Sequence, residues 1–230
     1  MDRILTRTAA SAAVHGLGWR YLLGTVRTSV PVGSFAQAVD VAARVVAAAG
    51  PDADGHLRVD LRPDRIVLTV QSVAVADLTE RDVDLARRIS AAVEDLGRHT
   101  EPEVASGAPR SVQLMEIAID ALDIPAVRPF WKAVLGYIDE PGHSGLADPL
   151  VDPVGQGPAV WFQQMDAPRP QRNRIHFDLC VPDDEAAGRL RAALDAGGTL
   201  RSDTDAPAFW VLADAEGNEI CITTWQGRDP

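Results

Sequence analysis

Lysine is nearly missing from this sequence. Lys132 is the only one among 22 basic residues, which face 33 aspartates and glutamates and leave a formal net charge of −11. A surface that acidic lacks the cationic patch needed to hold a phosphate backbone or an anionic bilayer, so neither nucleic acid nor a membrane surface is expected as a partner. Cysteine is scarce too: Cys180 and Cys221 are too few for a disulfide scaffold and read as reduced thiols in a cytoplasmic protein. No stretch approaches the roughly 18 apolar residues of a membrane span, and the opening MDRILTRTAAS has no continuous apolar core of a signal peptide. Apolar bulk is abundant, 46% of 230 residues, which favours two domains over one.

Residues 4–15 have helical character, with Thr6 or Thr8 as a cap and Gly16 and Gly18 as terminators. Two short strand-like runs around Gly24 predict a hairpin. Ser34 is placed to cap a helix over 35–49, its apolar side read as Phe35, Ala38, Val39, Ala42, Val45 and Val46. Two strands broken at Pro63-Asp64 follow within 56–75, then a helix from Thr79 to about Leu96 with Glu80 and Asp82 in its first turn. The order α-β-β-α-β-β-α fits an antiparallel sheet covered by helices.

Gly18-Trp19-Arg20, the S-F-x-x-A run at 34–38, D-L-R at 60–62 and L-T-E-R-D-V-x-L-A-R-R-I at 78–89 carry a resemblance to the pterin-4a-carbinolamine dehydratase family. That family's site is marked by a His-His-Pro run and a later Thr-Thr-His strand end; here those positions read Gly55-His56-Leu57 and Gln71-Ser72-Val73. Losing two of three imidazoles removes most of the acid-base capacity that dehydration needs. The resemblance therefore implies a scaffold at 1–97 without dehydratase activity, and His56 reads as a solvated loop histidine. Residues 98–111 are polar, carry Pro and Gly, and show no periodicity, a linker composition.

From residue 112 the chain repeats itself. Q-L-M-E-I-A-I-D alternates as a strand and leads into a helix from Asp123; R-I-H-F-D-L-C-V at 174–181 alternates likewise and leads into a helix from Asp183. Glu116 precedes Asp123 by the same interval as His176 precedes Asp183, so equivalent strands carry Glu and His. A β-α-β-β-β unit used twice can curl its sheets into one cup, with 112–230 as the second domain of an α+β protein.

F-W-K-A-V-L-G-Y at 130–137, V-W-F-Q at 160–163, N-R-I-H-F-D-L at 173–179 and D-A-E-G-N-E-I-C at 214–221 resemble the vicinal-oxygen-chelate superfamily, the glyoxalase, bleomycin-resistance and dioxygenase group. The resemblance implies a divalent metal held by one ligand from each of four strands. Carried over position by position, the ligands fall on Glu116, on Phe162 or Gln163, on His176 and on Cys221. Glu116 and His176 are sound ligands and the candidate catalytic pair, but the full set mixes hard and soft donors. A metal is thus not favoured over a pocket in which Glu116, Gln163, His176 and Asp178 hold an organic ligand, with Trp210 as its aromatic and Cys221 nearby. Cys221 also reads as apolar filler, and Asp178 as a partner of Arg172 or Arg174. Enzyme of the glyoxalase-like group, ligand-sequestering protein, and an N-terminal dimerisation module in a homo-oligomer all stay open.

Overall fold

The computed structural model describes residues 3–102, 112–169, 171 and 175–227, which fall into two compact units, 1–114 and 115–230.

In the first unit, α1 (Arg7–His15) starts where Thr6 Oγ1 accepts the Ala9 N–H at 3.2 Å. Strands β1 (Arg20–Leu22) and β2 (Thr25–Pro31) are joined through Leu23 and Gly24, both at positive φ. That is the backbone of a primed hairpin turn, whose twist matches the strands it joins. Helix α2 (Phe35–Ala49) is capped by Ser34; a short helical turn α3 (Ala53–His56) precedes β3 (Leu57–Leu61) and β4 (Arg65–Val70). The sheet is antiparallel in the order β1-β2-β4-β3. Helix α4 (Glu80–Glu94) opens with a reciprocal capping box between Thr79 and Asp82. The order agrees with the sequence reading, but the inward side of α2 does not. Ala38, Val41, Val45 and Ala49 are buried, while Phe35, Val39 and Val46 are exposed.

Residues 98–102, read from sequence as the start of the linker, run along this unit. Ser29 and Glu101 exchange backbone hydrogen bonds at 2.8 and 2.9 Å, and Thr100 Oγ1 donates to the Leu17 carbonyl at 2.6 Å. Gly18 permits this crossing: a Cβ there would stand 1.9 Å from the Thr100 carbonyl oxygen. The rest of the expected linker, 103–111, lies outside the described residues.

The second unit has the expected doubled order. The first repeat is β5 (Glu116–Ala121), α5 (Ile124–Leu135), β6 (Ile138–Asp139), β7 (Leu150–Val151) and β8 (Ala159–Gln164). The second is β9 (Phe177–Cys180), α6 (Asp183–Asp195), β10 (Thr199–Ser202), β11 (Phe209–Ala213) and β12 (Glu219–Thr223). They form two separate four-stranded sheets, β5-β8-β7-β6 and β10-β11-β12-β9. Each repeat closes by pairing its first strand parallel to its last, Glu116 with Ala159 and Phe177 with Ile220, 43 positions apart in both cases. Ile119, Ala121, Val160, Phe162, Ile220 and Ile222 turn to one shared core with Phe130, Trp131 and Val134 of α5 and Ala186 and Ala193 of α6. Asp123 caps α5, and Gly136 ends it in the left-handed region. The Lys132 ammonium and then the Arg128 guanidinium hold the Asp139 carboxyl below the usual carboxylate range.

Candidate functional site

Alternation along β5, β8, β9 and β12 sends one set of side chains into the core and leaves the other on an open face. On the second repeat that open set includes His176, Asp178, Cys180 and, from β12, Cys221. Cys221 stands in parallel register with Asp178. His176, Asp178 and Cys221 bring ligand-type atoms within 4.8 Å of one another, and His176 Nε2 lies 3.6 Å from Asp178 Oδ1. His176 and Asp178 are exposed; Cys221 is buried yet outside the core cluster, and the two cysteines are not joined in a disulfide. Arg172 and Arg174, the sequence-suggested partners of Asp178, lie outside the described residues.

The equal spacing of the two parallel pairings superimposes the repeats residue on residue. Glu116 then corresponds to His176, Ala118 to Asp178 and Trp161 to Cys221, since Ala118 pairs with Trp161 as Asp178 pairs with Cys221. The first-repeat counterpart of the fourth ligand position is thus Trp161, not Phe162 or Gln163. Phe162 points into the core, and Gln163 is exposed opposite Asp120. Glu116 is exposed and does not join the His176 group. The four-strand ligand set implied by the resemblance therefore does not fit the residues as arranged. Trp210 pairs with Ile222 and packs half-buried against the core, on the side of β11 opposite Cys221. The aromatic sharing the open side of β11 is Phe209, whose partner is Thr223.

A cleft among the described residues of this unit lies elsewhere, between β5 and β9. It encloses about 680 Å³. Its apolar lining includes Ala118, Trp131, Met165, Ile175 and Phe177, and its charged lining is Asp120, Arg169, Glu216 and Glu219. Arg169 reaches Asp120 at 3.8 Å. Of the expected site residues Glu116, Gln163, His176, Asp178, Trp210 and Cys221, none lines it. One wall is the β11–β12 turn D-A-E-G-N-E, which is built around Asp214. This buried carboxylate accepts from the Glu216 and Asn218 backbone N–H groups (2.9 Å each), from Asn218 Nδ2 (2.8 Å) and from the Trp131 indole N–H (2.9 Å). Glu216 in turn accepts the N–H groups of Leu122 and Asp123, at the head of α5. The motif thus fastens the second repeat's turn to the first repeat's helix. Sequence reading found the motif; its partners are 83 to 94 positions away in the chain and carry no periodic signal.

In the first unit, His56 is not a solvated loop side chain. Its Nδ1 lies 2.7 Å from Asp82 Oδ1, and Asp82 is fully buried. The other oxygen, Asp82 Oδ2, accepts from Ser72 Oγ (2.6 Å), Thr79 Oγ1 (2.7 Å) and the Thr79 N–H (2.7 Å). Gly55 and Val73 supply no imidazole beside it. Among the described residues, no helix is long and apolar enough to cross a membrane.

Comparison with known proteins matches residues 116–223 to a family described as a glyoxalase-like domain and residues 3–92 to one described as pterin 4 alpha carbinolamine dehydratase. A putative pterin-4-alpha-carbinolamine dehydratase of Mycolicibacterium smegmatis is 30% identical over 93 residues, 40% of this chain and 98% of that protein. One from Mycobacterium tuberculosis is 32% identical over 89 residues, covering 38% and 94%. Among solved structures, a glyoxalase-related enzyme from Fulvimarina pelagi aligns over 49% of this chain and 87% of its own at 17% identity, with a TM-score of 0.39. Both resemblances read from the sequence are borne out, at the expected places in the chain.

Proposed function

Since this chain belongs to the pterin-4a-carbinolamine dehydratase family through its first unit and carries a glyoxalase-like domain in its second, we propose that it binds a small oxygenated metabolite in the cleft between β5 and β9. The cleft itself carries the reading. Its volume falls in the range of small-molecule sites, about 300–1,000 Å³, and it sets a few charged groups around an apolar floor. Arg169 offers donors to a ligand carboxylate or carbonyl, while Asp120 and Glu219 accept from hydroxyls. Binding comes before turnover as a lyase, isomerase or dioxygenase because neither Glu116 nor His176 lines the cleft. The test is native mass spectrometry of the protein as purified, followed by calorimetry with a panel of small hydroxy acids and phenols. Asp120→Asn and Arg169→Ala should each weaken the best ligand at least about tenfold, the loss of one charge-assisted hydrogen bond. A protein that takes none of the panel and carries nothing from the cell overturns the reading, as does affinity indifferent to both substitutions.

We propose the domain division 1–97 and 112–230, with residues 98–102 of the intervening segment packed along the first domain, and a cytoplasmic setting in which both thiols stay reduced. We assign self-association to the first unit. Phe35, Val39 and Val46 are 52%, 47% and 47% exposed and share one side of α2. Sedimentation of the full chain should show a smaller species for the Phe35→Glu, Val39→Glu double variant; an unchanged species overturns this.

A further inference from the structure

The sheet of the first unit faces its core with one side only. Tyr21, Val26, Leu68 and Val59, one from each strand, turn to that core. Alternation therefore sends their neighbours Arg20, Arg27, Thr69 and Arg58 to the other side. Register lines these four up in a single row across β1, β2, β4 and β3: Arg20 stands opposite Arg27, Arg27 opposite Thr69, and Thr69 opposite Arg58. Three guanidiniums in one row repel one another. Arg20 turns back on its own chain, donating to the Trp19 carbonyl at 2.8 Å and the His15 carbonyl at 3.4 Å. Arg27 is worse served. It reaches the Gln113 carbonyl at 3.5 Å, the outer limit of a hydrogen bond, and its buried Nε has no acceptor among the described residues. Such a donor is rare and costly to leave unmade. Burial, and then the Arg58 charge, hold the Arg27 guanidinium below the usual arginine range. The acidic neighbours in this sheet are engaged elsewhere: Asp60 with Arg62, Asp64 with Arg65 and Glu101 with His99.

We propose that Arg27 and Arg58, with the Thr69 hydroxyl between them, bind the phosphate group of a small phosphorylated metabolite on this outer side of the sheet. Two strand spacings, about 10 Å, separate the Arg27 and Arg58 backbones, a gap that two arginine side chains close from either end. Rotation about the Arg27 side-chain bonds turns the Nε–H out from cover, where it forms one prong of the planar fork that takes two phosphate oxygens at once. A phosphate monoester carries about 1.5–2 negative charges at neutral pH, enough to answer both guanidiniums, whereas a carboxylate answers one. The net charge of −11 does not forbid this, because carboxylates beyond a Debye length of about 8 Å are largely screened. So small a row serves a single phosphate group, well short of the several contacts that a nucleic-acid backbone needs. The site lies wholly in the first unit and does not depend on ligand binding in the cleft of the second.

The experiment titrates the full chain with inorganic phosphate at fixed chloride, followed by calorimetry and by the arginine Nε–H resonances in NMR. One equivalent should bind at roughly millimolar phosphate, shifting the Arg27 and Arg58 resonances together. Arg27→Gln and Arg58→Gln should each weaken binding at least about tenfold, the loss of one charge-assisted hydrogen bond. Arg58 is exposed, so its variant tests the site even if the change at half-buried Arg27 disturbs folding; circular dichroism checks both. Thr69→Val should weaken binding less than either. Arg44→Gln, which removes an exposed charge from α2 instead, should change nothing. No heat and no shift at tens of millimolar phosphate overturn the proposal, and so does affinity indifferent to Arg58→Gln. A loss in Arg44→Gln equal to that in Arg58→Gln overturns it in favour of a general charge effect. Succinate binding more tightly than phosphate overturns it in favour of dicarboxylates.

Discussion

Asp214→Asn offers the sharpest test of how the cleft wall is built. The substitution keeps one oxygen for the Glu216 and Asn218 backbone N–H groups, which both bond Oδ1, and replaces Oδ2 with an NH₂. That NH₂ meets the Trp131 indole N–H donor to donor, and Trp131 is only 1% exposed, so no water can substitute. A hydrogen bond to a charged acceptor contributes about 1.5–3 kcal/mol, and an orphaned buried donor costs about 1–3 kcal/mol. The two figures overlap, which gives about 2–4 kcal/mol for the variant. In a Trp131→Phe background the orphaned donor is already gone. Asp214→Asn should then cost only about 1 kcal/mol, since Asn218 Nδ2 is part-buried and can turn to water. The expected coupling is about 2 kcal/mol. Native-state hydrogen exchange at Leu212 and Ile220, buried in β11 and β12, measures the opening of this unit without interference from the other. A coupling below about 0.5 kcal/mol would refute the claim that the indole bond, rather than the turn alone, anchors this wall.

Gly198→Ala should destabilise the second unit by about 1–3 kcal/mol in urea unfolding. Its Cβ would stand 2.3 Å from the Phe130 ring, which is fully buried, and 2.8 Å from the Ala193 carbonyl oxygen; a change under about 0.5 kcal/mol would show that the ring moves freely. Acid should weaken this unit through Asp139. Its folded-state pKa is depressed by Lys132 and Arg128, so its contribution is present above the unfolded value of about 3.9 and disappears as pH falls through the folded one. Asp139→Asn should therefore flatten the urea midpoint between about pH 5 and about pH 2, and an unchanged slope rules the ion pairs out as its cause. The first unit should not accelerate carbinolamine dehydration above background, because His56 is one imidazole where three are wanted. A stopped-flow rate that His56→Ala abolishes would reverse that reading.

Element order was legible because periodicity and caps are local: Thr6, Ser34, Thr79 and Asp123 each begin a helix as read. Facing was legible only where a polar side contrasted with an apolar one. In α2 nearly every position is apolar, so the stripe 38, 41, 45, 49 could not be told from 35, 39, 46. In β11 both sides are apolar, and Trp210 rather than Phe209 turned out to face the core. The second ligand position depends on a register set across 43 residues, and no local pattern encodes that. His56 and Asp82 meet over 26 positions for the same reason.

The parallel closure of each repeat bears on synthesis. β5 cannot find β8, nor β9 find β12, until 43 further residues have been made. In each repeat the strand made first therefore waits longest for its partner. Contacts of such long range form slowly, and until they do an unpaired strand presents a bare hydrogen-bonding edge to its neighbours. During translation the His176 strand is in that position. Alternating His176, Asp178 and exposed Cys180 with Phe177 and Leu179 makes it a poor template for aggregation, because every second residue resists a dry interface.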